Sequence, residues 1–97
     1  MIAVLPFRFS GSNLHCSKWP REFNYGCNVT GNWIPVDESI YDTAQCEVLC
    51  LQNATEVGCC SVFLPGGCWW LEGETDLAEA YVQKAVACTY DTHSKFN

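Results

Sequence analysis

Cysteine is the residue type in this sequence with the most specific chemistry. There are eight cysteines, an even number that allows every one of them to be bridged. Zinc is the competing interpretation, but zinc ligands usually come in C-x2-C pairs. The cysteines between residues 46 and 68 are instead spaced as C-x3-C, an adjacent pair and C-x7-C. The spacing therefore predicts disulfide bonds at all eight cysteines and no metal site.

Few other residues could carry out chemistry. His15 lies in a segment without a clear pattern and His93 in a polar tail, and neither place holds a general base in position. A free Cys16 beside His15 would be a nucleophile, but the even cysteine count favours a bridged Cys16. Four acids could bind calcium, but they lack EF-hand spacing and are interpreted as a solvated loop: Glu72, Glu74, Asp76 and Glu79. We predict no catalytic residue, no cofactor and no enzyme activity.

Composition indicates a small extracellular domain. A chain of 97 residues is near the size at which apolar burial alone gives marginal stability, and cysteine-dense chains of this size are typically secreted. Two N-x-[ST] sequons predict glycosylation at Asn28 and Asn53. The net charge of −6 argues against a nucleic-acid partner, and no apolar run reaches the length of a membrane span. Residues 1–7 are apolar but do not form a complete signal peptide.

The elements that must position the cysteines are one helix and a few short strands. Asp42 or Thr43 is a suitable N-cap for a helix that ends near Gln52. Residues 60–64 and 68–71 are predicted to form a hairpin around Pro65, Gly66 and Gly67. Residues 23–30 and 33–36 are predicted to be extended, residues 77–84 to form a short helix capped at Asp76, and residues 85–90 a closing strand. We predict an α+β fold with one main helix packed on a short antiparallel sheet.

These elements suggest how the cysteines pair. Cys46 and Cys50 are four residues apart and share one helix face, whereas the neighbours Cys59 and Cys60 point to opposite faces of a strand. If Leu64 lies opposite Cys68, the hairpin face that carries Cys60 and Cys68 is wholly apolar. We therefore predict that this face packs against the helix. The predicted bonds are Cys46–Cys68, Cys50–Cys60, Cys27–Cys88 in the outer strands and, from the remaining two cysteines, Cys16–Cys59.

This arrangement resembles the PAN/apple module. The resemblance covers residues 25–90 and rests on a helix with C-x3-C, two hairpin cysteines bonded back to it and a disulfide between the first and last strands. It involves six cysteines: Cys27, Cys46, Cys50, Cys60, Cys68 and Cys88. Cys16, Cys59 and residues 1–9 have no counterpart in that pattern. The resemblance implies a non-catalytic module that binds protein or carbohydrate.

Aromatic residues are the candidates for such binding. Trp69 and Trp70 are adjacent on a strand, so Trp70 is assigned to the core and Trp69 to the far face with Phe63. A partly exposed tryptophan can contact a sugar ring or a protein partner, and Trp33 is a third candidate. The alternative is that Trp69 lies beneath the segment tethered by Cys16–Cys59.

Two apolar features have no predicted partner inside the disulfide-bonded domain. One is a second helix stripe of Ala44, Val48 and Leu51, and the other is the arm at residues 1–9. The chain is thus divided into an arm and link (1–13), a stapled domain (14–92) and a tail (93–97). We hypothesise that the arm packs on another copy, forming a homo-oligomer; its apolar residues are Ile2, Val4, Leu5, Phe7 and Phe9. A structural subunit of an extracellular polymer and a small secreted signal or toxin are the alternative functions.

Overall fold

A five-stranded antiparallel sheet with the order β1-β7-β4-β5-β3 forms the centre of the molecule in the computed structural model. The structure describes residues 14–28 and 32–90. Strands β2 and β6 pair separately as an antiparallel ribbon. The elements are β1 (Leu14–Cys16), β2 (Tyr25–Cys27), β3 (Trp33–Asp37), α1 (Thr43–Asn53), β4 (Gly58–Phe63), β5 (Gly67–Glu72), β6 (Leu77–Glu79) and β7 (Gln83–Tyr90). These elements confirm the predicted α+β class.

Helix α1 begins where the sequence predicted. The Asp42 side chain caps the helix by accepting a hydrogen bond from the Gln45 backbone N–H at 2.9 Å. At the other end the Asn53 side chain donates to the carbonyl of Leu49, one turn earlier, at 2.8 Å. Cys46 and Cys50 are the fully buried residues of the helix. The helix therefore presents both of its half-cystines to the sheet.

The β4–β5 hairpin has the predicted faces but a different register. The sequence placed Leu64 opposite Cys68, and this is wrong because Val62 lies opposite Cys68. Residues 64–66 form the turn and Gly67 begins β5 with φ +81°. Gly67 also lies so close to the Glu38 backbone that a Cβ would come within 2.4 Å of it. A shift of two residues keeps the side chains of β4 and β5 on their predicted faces, so Trp70 is in the core as expected, whereas Leu64, predicted on the same face, lies in the turn and is exposed.

Two of the four disulfides are those predicted and two are not. Cys46–Cys68 and Cys50–Cys60 tie α1 to the hairpin. The predicted Cys27–Cys88 and Cys16–Cys59 bonds are wrong, because the structure contains Cys16–Cys88 and Cys27–Cys59. Residues 14–16, predicted to be irregular, form β1, which places Cys16 directly opposite Cys88 on β7. Strand β2 packs on the other face of the sheet, where Cys59 points.

The segment after β5 contains strand in place of the predicted helix. Leu77 to Glu79 form β6 against β2, and β7 begins at Gln83, two residues before the predicted closing strand. Val82 has a left-handed φ of +59°, which an α-helix does not contain. Across the ribbon, the backbone N–H of Asn28 donates a hydrogen bond to the carbonyl of Asp76, and the backbone N–H of Ala80 donates to the carbonyl of Asn24. Pairing with β2 therefore overrides the local capping signal at Asp76.

The core has two parts, one on each face of the sheet. The larger part lies between α1 and the sheet and consists of Leu14, Cys46, Cys50, Ala54, Cys60, Val62, Cys68, Trp70, Val86 and Cys88. The smaller part lies under the β2–β6 ribbon and consists of Cys27, Cys59, Leu71 and Ala85, with Trp33 packed at its side. In the described residues, no helix combines the length and apolar character that crossing a bilayer requires.

Candidate functional site

Three aromatic side chains meet on the sheet face opposite the helix, and we call Trp33, Phe63 and Trp69 the aromatic patch. The ring centroids are 5.2 Å apart for Trp33 and Phe63, 6.4 Å for Trp33 and Trp69, and 6.1 Å for Phe63 and Trp69. The interplanar angles are 70°, 81° and 84°, so each pair packs edge to face. All three rings are partly buried. The structure therefore brings together the three residues that the sequence singled out as binding candidates.

Strand alternation and the β3–β5 pairing position the aromatic patch. Trp69 lies opposite Ser61 on β4, and Phe63 is two residues further along the same face of β4. Trp33 lies opposite Leu71 on β5, which places it diagonally across from Trp69. The Trp69 indole N–H donates to the carbonyl of Gly66 in the hairpin turn at 2.7 Å. This bond holds the Trp69 ring in one orientation.

An open cavity of about 340 Å³ lies beside the aromatic patch. It is lined by Trp33, Phe63, Pro65, Gly66 and Trp69, which include no charged side chain. The sequence did not identify Pro65 and Gly66 as part of a site, because turn chemistry already accounted for both. The alternative that a Cys16–Cys59 tether covers Trp69 does not hold, since Cys16 is bonded to Cys88. Chemically, the cavity can accept an apolar group or a cation against ring faces.

Basic side chains are absent from the lining of the cavity in the part of the chain that the structure describes. The described residues include three basic side chains, Lys18, Arg21 and Lys84, and none of them lines the cavity. The Lys84 ammonium lies 4.6 Å from the centre of the Phe23 ring, away from the patch. At the end of β3, the Asp37 carboxylate accepts hydrogen bonds from the Ser39 hydroxyl at 2.7 Å and the Ser39 backbone at 3.0 Å. These bonds hold the pKa of Asp37 below its ordinary value.

The cysteines form a second, buried cluster. The Sγ atoms of Cys46, Cys50, Cys60 and Cys68 all lie within 4.8 Å of one another and belong to two adjacent disulfides. All eight cysteines of the chain are bridged. Backbone carbonyls of Cys46, Ser61 and Trp69 lie within 3.7 Å of these sulfurs. This environment does not stabilise thiolate charge, so the cluster serves as a structural staple between helix and hairpin.

Within residues 14–28 and 32–90, acidic and histidine side chains form no group of three that could hold a metal ion. One Glu72 oxygen accepts hydrogen bonds from the backbone N–H groups of Thr55 and Glu56 and from the Thr55 hydroxyl, and the other accepts from the Trp70 indole. Glu72 thus fastens the loop after α1 to β5, a role that the sequence did not reveal. His15 is exposed on β1, and His93 lies outside the described residues.

The second helix stripe is only partly exposed to solvent. Val48 is 54% exposed and Ala44 is also exposed, and a cavity of about 400 Å³ beside them is lined by Ile40, Ala44, Gln45, Val48 and Leu49. Leu51, the third residue of the stripe, packs against the main core, so the expectation that it has no partner inside the domain is wrong. The arm residues Ile2, Val4, Leu5, Phe7 and Phe9 lie outside the described residues.

Comparison with protein-family models, with curated proteins and with solved structures found no match to this chain. The class of protein is therefore defined by its own fold, a small disulfide-rich α+β domain with one helix and antiparallel sheets. Four disulfides in a domain of this size fit an extracellular or secreted protein.

Proposed function

We propose that this protein is a non-catalytic, extracellular recognition module that binds a protein or carbohydrate partner through the aromatic patch. The observation that supports this function is the grouping of Trp33, Phe63 and Trp69 beside an open cavity on one sheet face. Aromatic side chains in such positions supply much of the binding energy in protein and sugar recognition. The disulfide-stapled sheet beneath them keeps the surface rigid before binding, which lowers the entropy cost of association.

The proposed kinship with PAN/apple modules is supported by the helix and hairpin staples. Cys46–Cys68 and Cys50–Cys60 join α1 to the two central strands, which matches the pattern on which the resemblance rests. The first and last described strands are also clasped, but through Cys16–Cys88 in place of Cys27–Cys88. The Cys27–Cys59 bond has no counterpart in the six-cysteine pattern. We therefore propose a PAN/apple-like module in which the disulfide between the first and last strands uses Cys16 in place of Cys27.

The sequons agree with an extracellular location. Asn28 and Asn53 are both exposed, and neither lines the cavity beside the aromatic patch. Glycans at these positions would leave the proposed contact surface open. Glycosylation of Asn28 and Asn53 stays a prediction.

Binding through the aromatic patch is tested by comparing variants on defined ligand panels. We expect Trp69→Ala and Trp33→Ala to weaken binding to any captured ligand about tenfold or more, because each removes a contact surface of the kind that dominates interfaces. The panels are a printed glycan array and a phage-displayed random peptide library, both screened with glycosylated protein. Tyr81→Ala is the matched control, since Tyr81 is 89% exposed and lies outside the patch cavity.

Two results would contradict this function. Ligands that bind the wild type, Trp69→Ala and Tyr81→Ala equally would place recognition elsewhere on the surface. The absence of any ligand in either panel would remove the support for a recognition module. Intact mass checks that all four disulfides have formed, and a far-ultraviolet circular dichroism spectrum matching that of the wild type checks that a loss of binding does not reflect misfolding.

Self-assembly is a second candidate, favoured by the exposed groove beside Ala44 and Val48. The proposed occupant is the apolar arm, residues 1–9, of a second copy. We expect Val48→Asp to dissociate an oligomer without changing stability, because the side chain is more than half exposed. Light scattering after size exclusion measures the oligomer, with Tyr81→Asp as the control, since Tyr81 is exposed and does not line the groove. A wild type that stays monomeric at high concentration would exclude this candidate.

A further inference from the structure

The aromatic patch has the geometry of a site for a cation, and we propose that it binds a quaternary ammonium group of the choline type. This inference rests on the proposed function, in which the same patch is the recognition surface, and it names the chemical group that the partner presents. Trp33, Phe63 and Trp69 would bind the ammonium through their ring faces, and no covalent step is involved. The cavity of about 340 Å³ gives the group room to enter from solvent.

The arrangement of the three rings carries the proposal. Their planes stand at 70°, 81° and 84° to one another, so each pair of rings is close to perpendicular. The three centroids form a triangle with no side longer than 6.4 Å. A cation placed above the centre of this triangle lies within about 6 Å of all three rings, the distance at which a cation is attracted to a ring face. Tryptophan is the most effective aromatic residue for this interaction, and two of the three rings are tryptophan.

Charge on the rest of the protein favours the same class of ligand. The chain carries a net charge of −6, and none of its described basic side chains lines the cavity. The protein already uses a cation–π contact elsewhere, where Lys84 lies 4.6 Å from the centre of the Phe23 ring. Because Lys84 is held there, it does not compete for the patch. A cationic ligand is thus attracted by the net charge and meets no like charge in the cavity.

The polar groups around the cavity argue against a ligand recognised through hydrogen bonds. A chemical group that is recognised through hydrogen bonds requires placed polar groups in addition to the apolar surface of a pocket. The Trp69 indole N–H already donates to the Gly66 carbonyl, so it is not available to a ligand. The Trp33 indole is the other side-chain donor among the lining residues. A quaternary ammonium requires none, since it has no N–H groups and is bound by ring faces.

A comparison of choline with its neutral isostere 3,3-dimethylbutan-1-ol tests the inference on the unmodified protein. The two molecules have nearly the same shape, so a difference in affinity reports the positive charge. We expect choline to bind at least about tenfold more tightly than the isostere. Binding of both molecules is measured by tryptophan fluorescence and by saturation-transfer NMR of the ligand methyl groups. We expect Trp69→Ala to weaken choline binding about tenfold and Tyr81→Ala to leave it unchanged.

Trp69→Phe is the variant that separates ring chemistry from folding. It keeps an aromatic ring in the cavity, and we expect it to lower choline affinity by about threefold, less than alanine does, because phenylalanine attracts cations more weakly than tryptophan. Phosphocholine is compared in parallel. Binding equal to or tighter than that of choline would indicate a phosphocholine headgroup as the source, and weaker binding would indicate an ammonium without an adjacent anion.

Equal affinity for choline and the isostere, or no binding of either, would overturn the ammonium inference. Neither result bears on the glycan and peptide panels, where loss of binding in Trp69→Ala would still support recognition through the patch. Conversely, choline binding that is unaffected by both Trp33→Ala and Trp69→Ala would overturn the inference by placing the cation site elsewhere.

Discussion

Trp70→Ala is expected to lower the free energy of unfolding by about 3–5 kcal/mol, the usual loss when a buried tryptophan is truncated. Trp70 is fully buried between α1 and the sheet, in the cluster that contains the helix cysteines. Its ring also lies against Gly58, where even a Cβ would come within 2.4 Å of it. Truncation would therefore leave a cavity that the disulfide-bonded surroundings cannot easily close. Guanidinium denaturation with the disulfides intact, followed by far-ultraviolet circular dichroism, measures the loss.

Trp69→Ala is the matched control, because it changes the same residue type one position away and on the opposite face. Trp69 is only partly buried and contacts Trp33 and Phe63 at the edge of a cavity. We expect a loss of no more than about 2 kcal/mol from these aromatic contacts. If the two variants lose equal stability, Trp69 belongs to the core and is unsuited to binding. A larger loss for Trp69→Ala would reverse the assignment of the sheet faces.

Local chemistry explains why the sequence predicted α1 and the hairpin. An Asp42 side chain can cap only the helix that follows it, and Cys46 and Cys50 share a face wherever the helix packs. Strand alternation likewise places Trp69 and Trp70 on opposite faces whatever the register, and a shift by an even number of residues leaves each on its predicted face. Together these local features predicted the two disulfides of the helix. They also placed two of the three patch residues, Phe63 and Trp69, on a common face.

The remaining disulfides depend on strand order, which local patterns do not encode. Leu14 to Cys16 form a three-residue strand, too short for a period to be detected, yet it pairs with β7 some 70 residues later. β2 leaves the main sheet and pairs with β6, which moves Cys27 to the face of Cys59. The position of Trp33 within the aromatic patch also depends on strand order, since it follows from the β3–β5 pairing and its irregularity near Pro35.

The disulfide between Cys16 and Cys88 is expected to contribute the most stability of the four. It joins residues 72 apart in sequence, the largest separation in the chain, so it removes the most entropy from the unfolded state. The chain-entropy relation gives roughly 4 kcal/mol for a loop of this length and roughly 2.5–3 kcal/mol for the Cys50–Cys60 loop, whose ends are 10 apart. We expect Cys16→Ala with Cys88→Ala to lower the unfolding free energy by about 4 kcal/mol, measured by guanidinium denaturation.

The pairing itself has a direct test in the positions of the basic residues. Trypsin cuts after Lys and Arg, so it separates Cys16 in residues 9–18 from Cys88 in residues 85–95, and leaves the other six cysteines in residues 22–84. With Cys16–Cys88 bonded, a non-reducing digest releases the two short peptides joined to each other and free of the long one. The Cys27–Cys88 and Cys16–Cys59 pairs expected from the sequence would instead hold all three peptides in one species. That single species would show that β1 is not bonded to β7, whereas a double-alanine variant that loses less than about 1 kcal/mol would contradict the expected stabilisation.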